Sequence, residues 1–212
     1  MAPPQTQLAG PMQILHPFSG SIQEYKEQLG DPDAFRPGHC PLCQAKQKLR
    51  AHGFYYRTLS DRVFDGIIAI RRYLCLCCWR TVSLLPELAL PYLRFSVPVV
   101  GRFLRARFLE GQSWCASAEA AAQPEMPYQR GQQWARRFAA QAEILSAALA
   151  ALTAPTDARR FVVRAVQMLE TVGWVEAHRF VFSQLRIHLL GWPDFLAPDG
   201  VGVSFRAGSA PA

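Results

Sequence analysis

The chain has 212 residues, half of them apolar and 18% charged, which excludes a wholly disordered polymer and suffices for one ordinary domain or two small ones. Mean hydropathy is +0.01, yet no stretch reaches the roughly 20 uninterrupted apolar residues of a bilayer span, and the start lacks a basic region followed by an apolar core, so a soluble, cytoplasmic protein with no membrane attachment is predicted. The formal charge of +7 is concentrated in residues 36–107, which carry 13 Lys and Arg against 3 Asp and Glu.

A basic segment of that density attracts a polyanion, because each neutralised phosphate releases condensed counterions. A solubilising face would show the same charge. Residues 1–38 carry Pro3, Pro4, Pro11, Pro17, Pro32 and Pro37 among glycines and polar residues. They predict an irregular leader with one short helix around 21–29.

Residues 39–86 predict a small β zinc ribbon. Cys40-Pro41-Leu42-Cys43 is one Cys-x2-Cys pair, and Cys75 with Cys78 makes another after 31 intervening residues. Two thiolates on one tight turn reach the same ion at about 2.3 Å, and two such turns complete a tetrahedron. Cys40, Cys43, Cys75 and Cys78 are therefore the predicted ligands of one structural Zn2+. Cys77 is an alternative to Cys78, and His39 and His52 are candidate substitutes that more ordinarily face solvent. A redox dithiol would open a helix in an α/β unit, a pattern missing here. Strands are predicted at 54–57, at 67–74 after a turn at Asp65-Gly66, and at 81–85. Phe54, Tyr55, Tyr56 and Tyr73 read as ribbon core, or as a platform on which single-stranded bases stack.

Residues 87–152 predict three helices. Val100, Leu104 and Phe108 recur at i, i+4 and i+8 from Ser96 onward, with Val99 and Phe103 beside them, giving an amphipathic helix that ends near Gly111. Ser113 is an N-cap for a short second helix through Ala122, in which Cys115 reads as a small buried hydrophobe. The third helix, about 128–151, lines up Trp134, Phe138, Leu145, Leu149 and Leu152 and surrounds its first half with Gln129, Arg130, Gln132, Gln133, Arg136 and Arg137. Three helices with a Gln/Arg-rich start to the last match a helix-turn-helix, whose second helix enters the major groove. Arg pairs with guanine O6/N7 and Gln with adenine N6/N7. A solvated face on a plain bundle would use the same residues.

Residues 153–212 predict two further helices, at 159–172 and 174–190, and a loop and tail from Gly191-Trp192-Pro193-Asp194-Phe195 onward, without an assigned role. The nine acidic residues after 107 (Glu110, Glu119, Glu125, Glu143, Asp157, Glu170, Glu176, Asp194 and Asp199) are scattered rather than arrayed as two-metal phosphoryl chemistry requires. His178-Arg179 and Arg186-Ile187-His188 supply the cations of a tyrosine recombinase, but no Tyr follows Tyr128. A catalytic role is not expected, and a complete transposase least of all.

The run Arg71-Arg72-Tyr73-Leu74-Cys75-Leu76-Cys77-Cys78-Trp79-Arg80-Thr81-Val82-Ser83-Leu84-Leu85-Pro86, with Cys40-Pro41-Leu42-Cys43, His52-Gly53-Phe54-Tyr55-Tyr56-Arg57 and the helices after them, resembles a family of bacterial zinc-ribbon proteins associated with insertion-sequence transposases, over about 39–150. The resemblance implies a zinc ribbon followed by helix-turn-helix DNA binding, either as the front end of a transposase or free-standing, with Cys40, Cys43, Cys75 and Cys78 on zinc. Cys77 is an addition to the simplest pattern.

The expected fold class is α+β: a ribbon, a helix-turn-helix-like region and C-terminal helices. The expected function is zinc-dependent, non-catalytic binding of duplex DNA. Arg50, Arg57, Arg71, Arg72 and Arg80 hold phosphate, and Gln129, Arg130, Gln133, Arg136 and Arg137 read the groove. The alternative is an adaptor that docks a transposase, recombinase or polymerase partner through the ribbon and the C-terminal aromatics Trp174, Phe180, Phe182 and Trp192.

Overall fold

A computed structural model describes residues 12–192 apart from 19, 32 and 48. The leader residues before 12 and the tail from Pro193, including Asp194 and Asp199, lie outside the described residues.

Among the described residues, four strands and six helices make a mixed α+β fold. The sheet comprises β1 (Met12–His16), β2 (Arg50–Ser60), β3 (Asp65–Leu74) and β4 (Thr81–Pro86), in the order β1-β4-β3-β2. β2, β3 and β4 are antiparallel neighbours, whereas β1 lies parallel to β4 with Gln13 opposite Ser83. The irregular leader is therefore corrected: residues 12–16 form an edge strand, stabilised by a partner some 70 positions away. The helix expected near 21–29 is α1 (Ile22–Gln28), where Ser21 and Glu24 form a reciprocal capping box. It closes over the sheet through Tyr25, whose ring stacks on Phe35 and whose hydroxyl donates to the Ala69 carbonyl at 3.2 Å.

The ribbon strands are longer than their side chains announce. β2 begins at Arg50 because a bulge between Ala51 and Phe54, centred on Gly53 at φ +76°, interrupts the alternation without ending the strand. Asp65 and Gly66 belong to β3, paired with Ser60 and Leu59, and residues 61–64 make the turn. There the Asp61 N–H donates to the Phe64 carbonyl at 2.7 Å.

The helical part holds α2 (Val97–Phe108), α3 (Trp114–Ala120), α4 (Tyr128–Leu149), α5 (Phe161–Val172) and α6 (Trp174–Leu185). Ser96 and Ser113 cap α2 and α3 as their side-chain chemistry predicts. The apolar stripe of α4 ends at Leu149; Leu152 lies beyond the helix and is exposed. α6 stops at Arg186 in the left-handed conformation, five residues before the predicted end, and Leu189 and Leu190 return to the core as loop. Cys115 is exposed, not buried.

Phe103 of α2 stands at the centre of this part, with Trp114 stacked at 6.4 Å and Trp134 edge-on at 5.4 Å. A second core lies against the sheet, and Phe182 of α6 belongs to it, so the helices and the ribbon share buried surface. Polar bonds lock the same junction: Ser60 Oγ donates to Gln123 Oε1 (3.1 Å), and Ser96 Oγ to Asp61 Oδ1 (2.5 Å). Among the described residues, no helix is long and apolar enough to cross a membrane.

Candidate metal centre and basic surface

Two turns bring four thiols together. The Cys40 N–H donates to the Ala45 carbonyl at 3.0 Å, and the Cys40 carbonyl accepts from Gln44 N–H at 2.9 Å. The second turn repeats this: Cys75 N–H to the Arg80 carbonyl at 3.0 Å, and Trp79 N–H to the Cys75 carbonyl at 2.9 Å. Gln44 (φ +59°) and Trp79 (φ +56°) both adopt the left-handed conformation that reverses the chain. Each turn therefore aims its two cysteines at a common point.

All four sulfurs lie within 4.8 Å of one another. Cys40 and Cys78 are 3.9 Å apart and Cys43 and Cys75 3.7 Å. A tetrahedron whose corners lie about 2.3 Å from a central ion has edges of about 3.8 Å, so the spacing fits a four-thiolate metal site. Among the described residues this is the one such group of His, Cys, Asp or Glu side chains. His39 and His52 are exposed and outside it, and so is Cys77.

Burial opposes ionisation of Cys75, but the main-chain N–H groups of Cys78 and Cys77 and the neighbouring thiols outweigh it and bring this thiol down to about 7. Burial instead pushes Cys78 up to about 12 and raises Cys40. Thiolates crowded this closely repel one another, and a cation placed between them would offset that repulsion.

The arginines of the basic segment divide into two groups. Arg57 donates to the carbonyls of Leu90 (3.1 Å) and Leu93, and Arg71 is buried, donating to the Leu29 carbonyl at 2.6 Å with its guanidinium 4.0 Å over the Phe54 ring. Both brace the sheet against its covering segments: Arg71, being buried, is withdrawn from the predicted phosphate-holding set, and Arg57 is half-buried with Nη2 engaged on main-chain carbonyls. Arg72 is half-buried and donates to Thr81 Oγ1 at 3.3 Å. Arg50 and Arg80 are exposed at the metal end of the hairpin, with Lys46, His52 and Trp79.

On α4, Gln129, Arg130, Gln133 and Arg136 are exposed along the first two turns, opposite buried Gly131, Trp134, Ala135 and Phe138. Arg137 is turned away and donates to the Gly191 carbonyl at 2.7 Å. Arg62, exposed on the 61–64 turn, lies at the end of the sheet that Gln123 ties to the α3–α4 connection, and no motif singled it out. The metal end and this end are separated by about ten residues of β2, roughly 30 Å at 3.3 Å per residue.

The histidines, arginines and aromatics of α6 and of the loop after it are partly or fully buried. His178 is fully buried beside Phe182, and Arg179 pairs with the largely buried Glu87 at 2.7 Å. His188 Nε2 bonds the Pro91 carbonyl at 3.0 Å while its Nδ1 accepts from Leu190 N–H. Of the C-terminal aromatics Phe182 is buried, whereas Trp174, Phe180 and Trp192 are half-buried, Trp174 packing against Gly101 and Phe138 and Trp192 on Phe182.

A family model described as a domain of unknown function (DUF6431) matches residues 40–122, from the first metal-site cysteine to just past α3. No curated protein and no solved structure matches the chain.

Proposed function

We propose that the chain is a zinc-stabilised, non-catalytic DNA-binding protein of mobile-element type. Zinc suits the cluster because a closed tetrahedral set of four thiolates is its characteristic structural site, with no open position for catalysis. A ribbon of about 50 residues has too little apolar material to fold well alone, so the ion supplies folding energy. Arg50 and Arg80 at the metal end, and Arg72 beside them, hold phosphate. Gln129, Arg130, Gln133 and Arg136 enter the groove as the start of the second helix of a helix-turn-helix formed by α3 and α4. The mobile-element setting follows the sequence resemblance.

The observation that carries this reading is the first half of α4. Its outer face is Gln and Arg, no acidic residue occurs between Tyr128 and Ala142, and its inner face is anchored by Trp134 on Phe103.

Selection of bound sequences from a random duplex pool tests the reading. The wild type yields a motif, and Gln133→Ala relaxes it at one or two positions while leaving bulk affinity nearly unchanged. A pool that remains random with the wild type contradicts base reading by α4.

A further inference from the structure

The tip of the second metal turn displays a bare aromatic ring. Trp79 is 72% exposed and Leu76, on the same turn, 45%, and neither belongs to either buried core. Gln44 holds the equivalent place in the first turn, since its N–H bonds the Cys40 carbonyl as that of Trp79 bonds the Cys75 carbonyl. The Gln44 side chain serves its own turn by donating to the Pro41 carbonyl at 3.3 Å. The Trp79 indole makes no side-chain hydrogen bond and no ring contact among the described residues. Its backbone, at φ +56°, is in a conformation that glycine adopts freely and a bulky residue only at a cost. The indole therefore adds little to the fold and is held out to solvent on a turn fixed from both sides.

The strand register puts cations beside it. Arg50 is opposite Leu74 and Leu74 opposite Thr81, so these three form one rung across the metal end of the sheet, and strand alternation sets Arg72 on the same face. Arg72 reaches back to Thr81 Oγ1 at 3.3 Å, and exposed Arg80 joins Trp79 to that rung. Residues 39–60 and 66–86, which build both metal turns and the three antiparallel strands, contain no Asp or Glu. Asp33 is paired with Arg36, whose guanidinium lies over the Tyr73 ring at 5.5 Å, on the other face of the sheet. An open ring and a one-signed field thus occupy the same corner of the molecule.

We infer that Trp79 stacks on an unpaired base of a DNA single strand whose flanking phosphates meet Arg50, Arg72 and Arg80. A single strand offers an aromatic face and a phosphate at every step, whereas a duplex keeps its base faces inside its own stack. An open indole among arginines therefore selects the unpaired strand, and Leu76 widens the apolar contact. The inference rests on the phosphate-holding role proposed above for the metal end, and gives that end a target distinct from the duplex read by α4.

The test uses the full, metal-replete chain. Fluorescein-labelled oligo-dT of about 10 nucleotides and a duplex of about 30 base pairs are titrated with wild type, Trp79→Gly and Trp79→Phe, beside vesicles of phosphatidylserine and phosphatidylcholine. Single-strand affinity is expected to fall at least about fivefold in Trp79→Gly and to persist in Trp79→Phe, with duplex affinity unchanged in both. Trp79→Gly is also expected to keep its metal and to melt no lower than the wild type, because glycine relieves the left-handed backbone. Lost metal or a lowered melting temperature in Trp79→Gly would assign the indole a structural role and overturn the inference. Single-strand affinity that is unchanged, or that falls in step with duplex affinity, also overturns it and leaves duplex recognition standing. Vesicle binding that needs Trp79, without strand binding, overturns it in favour of a membrane surface. Trp79-dependent strand binding by a protein that ignores duplex supports it and overturns the reading of α4, and failure to bind either form of DNA overturns both.

Discussion

Cys77 stands in the second knuckle where Leu42 stands in the first, one step before the second metal-facing cysteine of each turn. The main-chain bonds from Cys40 to Ala45 and from Cys75 to Arg80 set that equivalence. It answers the ambiguity of a Cys-x-Cys-Cys run, because Cys78 alone falls at the position equivalent to Cys43.

Replacement of single cysteines is expected to follow the same geometry. Cys78→Ser and Cys40→Ser lose bound metal and unfold the ribbon, whereas Cys77→Ser keeps one zinc per chain. Metal content by elemental analysis after gel filtration checks this, and loss of metal in Cys77→Ser would reverse the assignment.

The arginines are expected to separate by experiment as they do in space. Arg57→Met and Arg71→Met remove the side-chain donors to the Leu93 and Leu29 carbonyls and lower stability by about 1–3 kcal/mol each. Arg50→Ala and Arg130→Ala leave the melting temperature unchanged; Arg50→Ala reduces the salt dependence of DNA binding by about one phosphate contact, and Arg130→Ala relaxes sequence preference. Thermal melts and salt titrations on the four variants distinguish the groups.

That division was not legible in the sequence, where all arginines of residues 36–107 count equally toward the charge. Whether a guanidinium meets Leu29 or solvent depends on contacts such as Arg71 with α1, 42 positions away. The same reason hid β1: residues 12–16 sit among prolines, and only pairing with β4 makes them a strand. Local signals fared better. Ser96 and Ser113 announced their helices, the Cys-x2-Cys pairs announced the four-cysteine cluster, and Trp134 and Phe138 announced the buried face of α4. The bulge at Gly53 explains why β2 was legible only in its middle.

Gly131 allows α4 to approach α2, since a Cβ there would lie 2.6 Å from Cζ of Phe103, a ring already fixed by Trp114 and Trp134. Gly131→Ala is expected to cost about 1–3 kcal/mol by overpacking, despite a gain in helix propensity of up to about 1 kcal/mol. Chemical denaturation measures the balance, and a stabilised variant would show that the ring moves aside freely.

His178 and His188 predict acid sensitivity. Burial holds His178 down at about 3 and His188 at about 4, so the folded chain keeps both neutral where an unfolded chain would protonate them near 6.5. Unfolding then takes up protons, and stability present above pH 6.5 is lost as the pH falls toward 4, by up to about 1.4 kcal/mol per pH unit for each histidine. The Glu87 main chain, the hydrogen-bonding neighbour of His178, offsets its burial only in part. His178→Leu is therefore expected to flatten the stability profile between pH 6.5 and 4 and to cost little at pH 7.5. An unchanged acid slope in His178→Leu would place the sensitivity elsewhere.

Duplex-DNA binding by fluorescence anisotropy across a salt series, on zinc-loaded protein and on the same protein after chelation, tests the central claim most directly. The account predicts affinity that falls linearly in log salt and is lost when the metal is removed. Absence of duplex binding by the zinc-loaded protein at low salt, or binding indifferent to chelation, would contradict it.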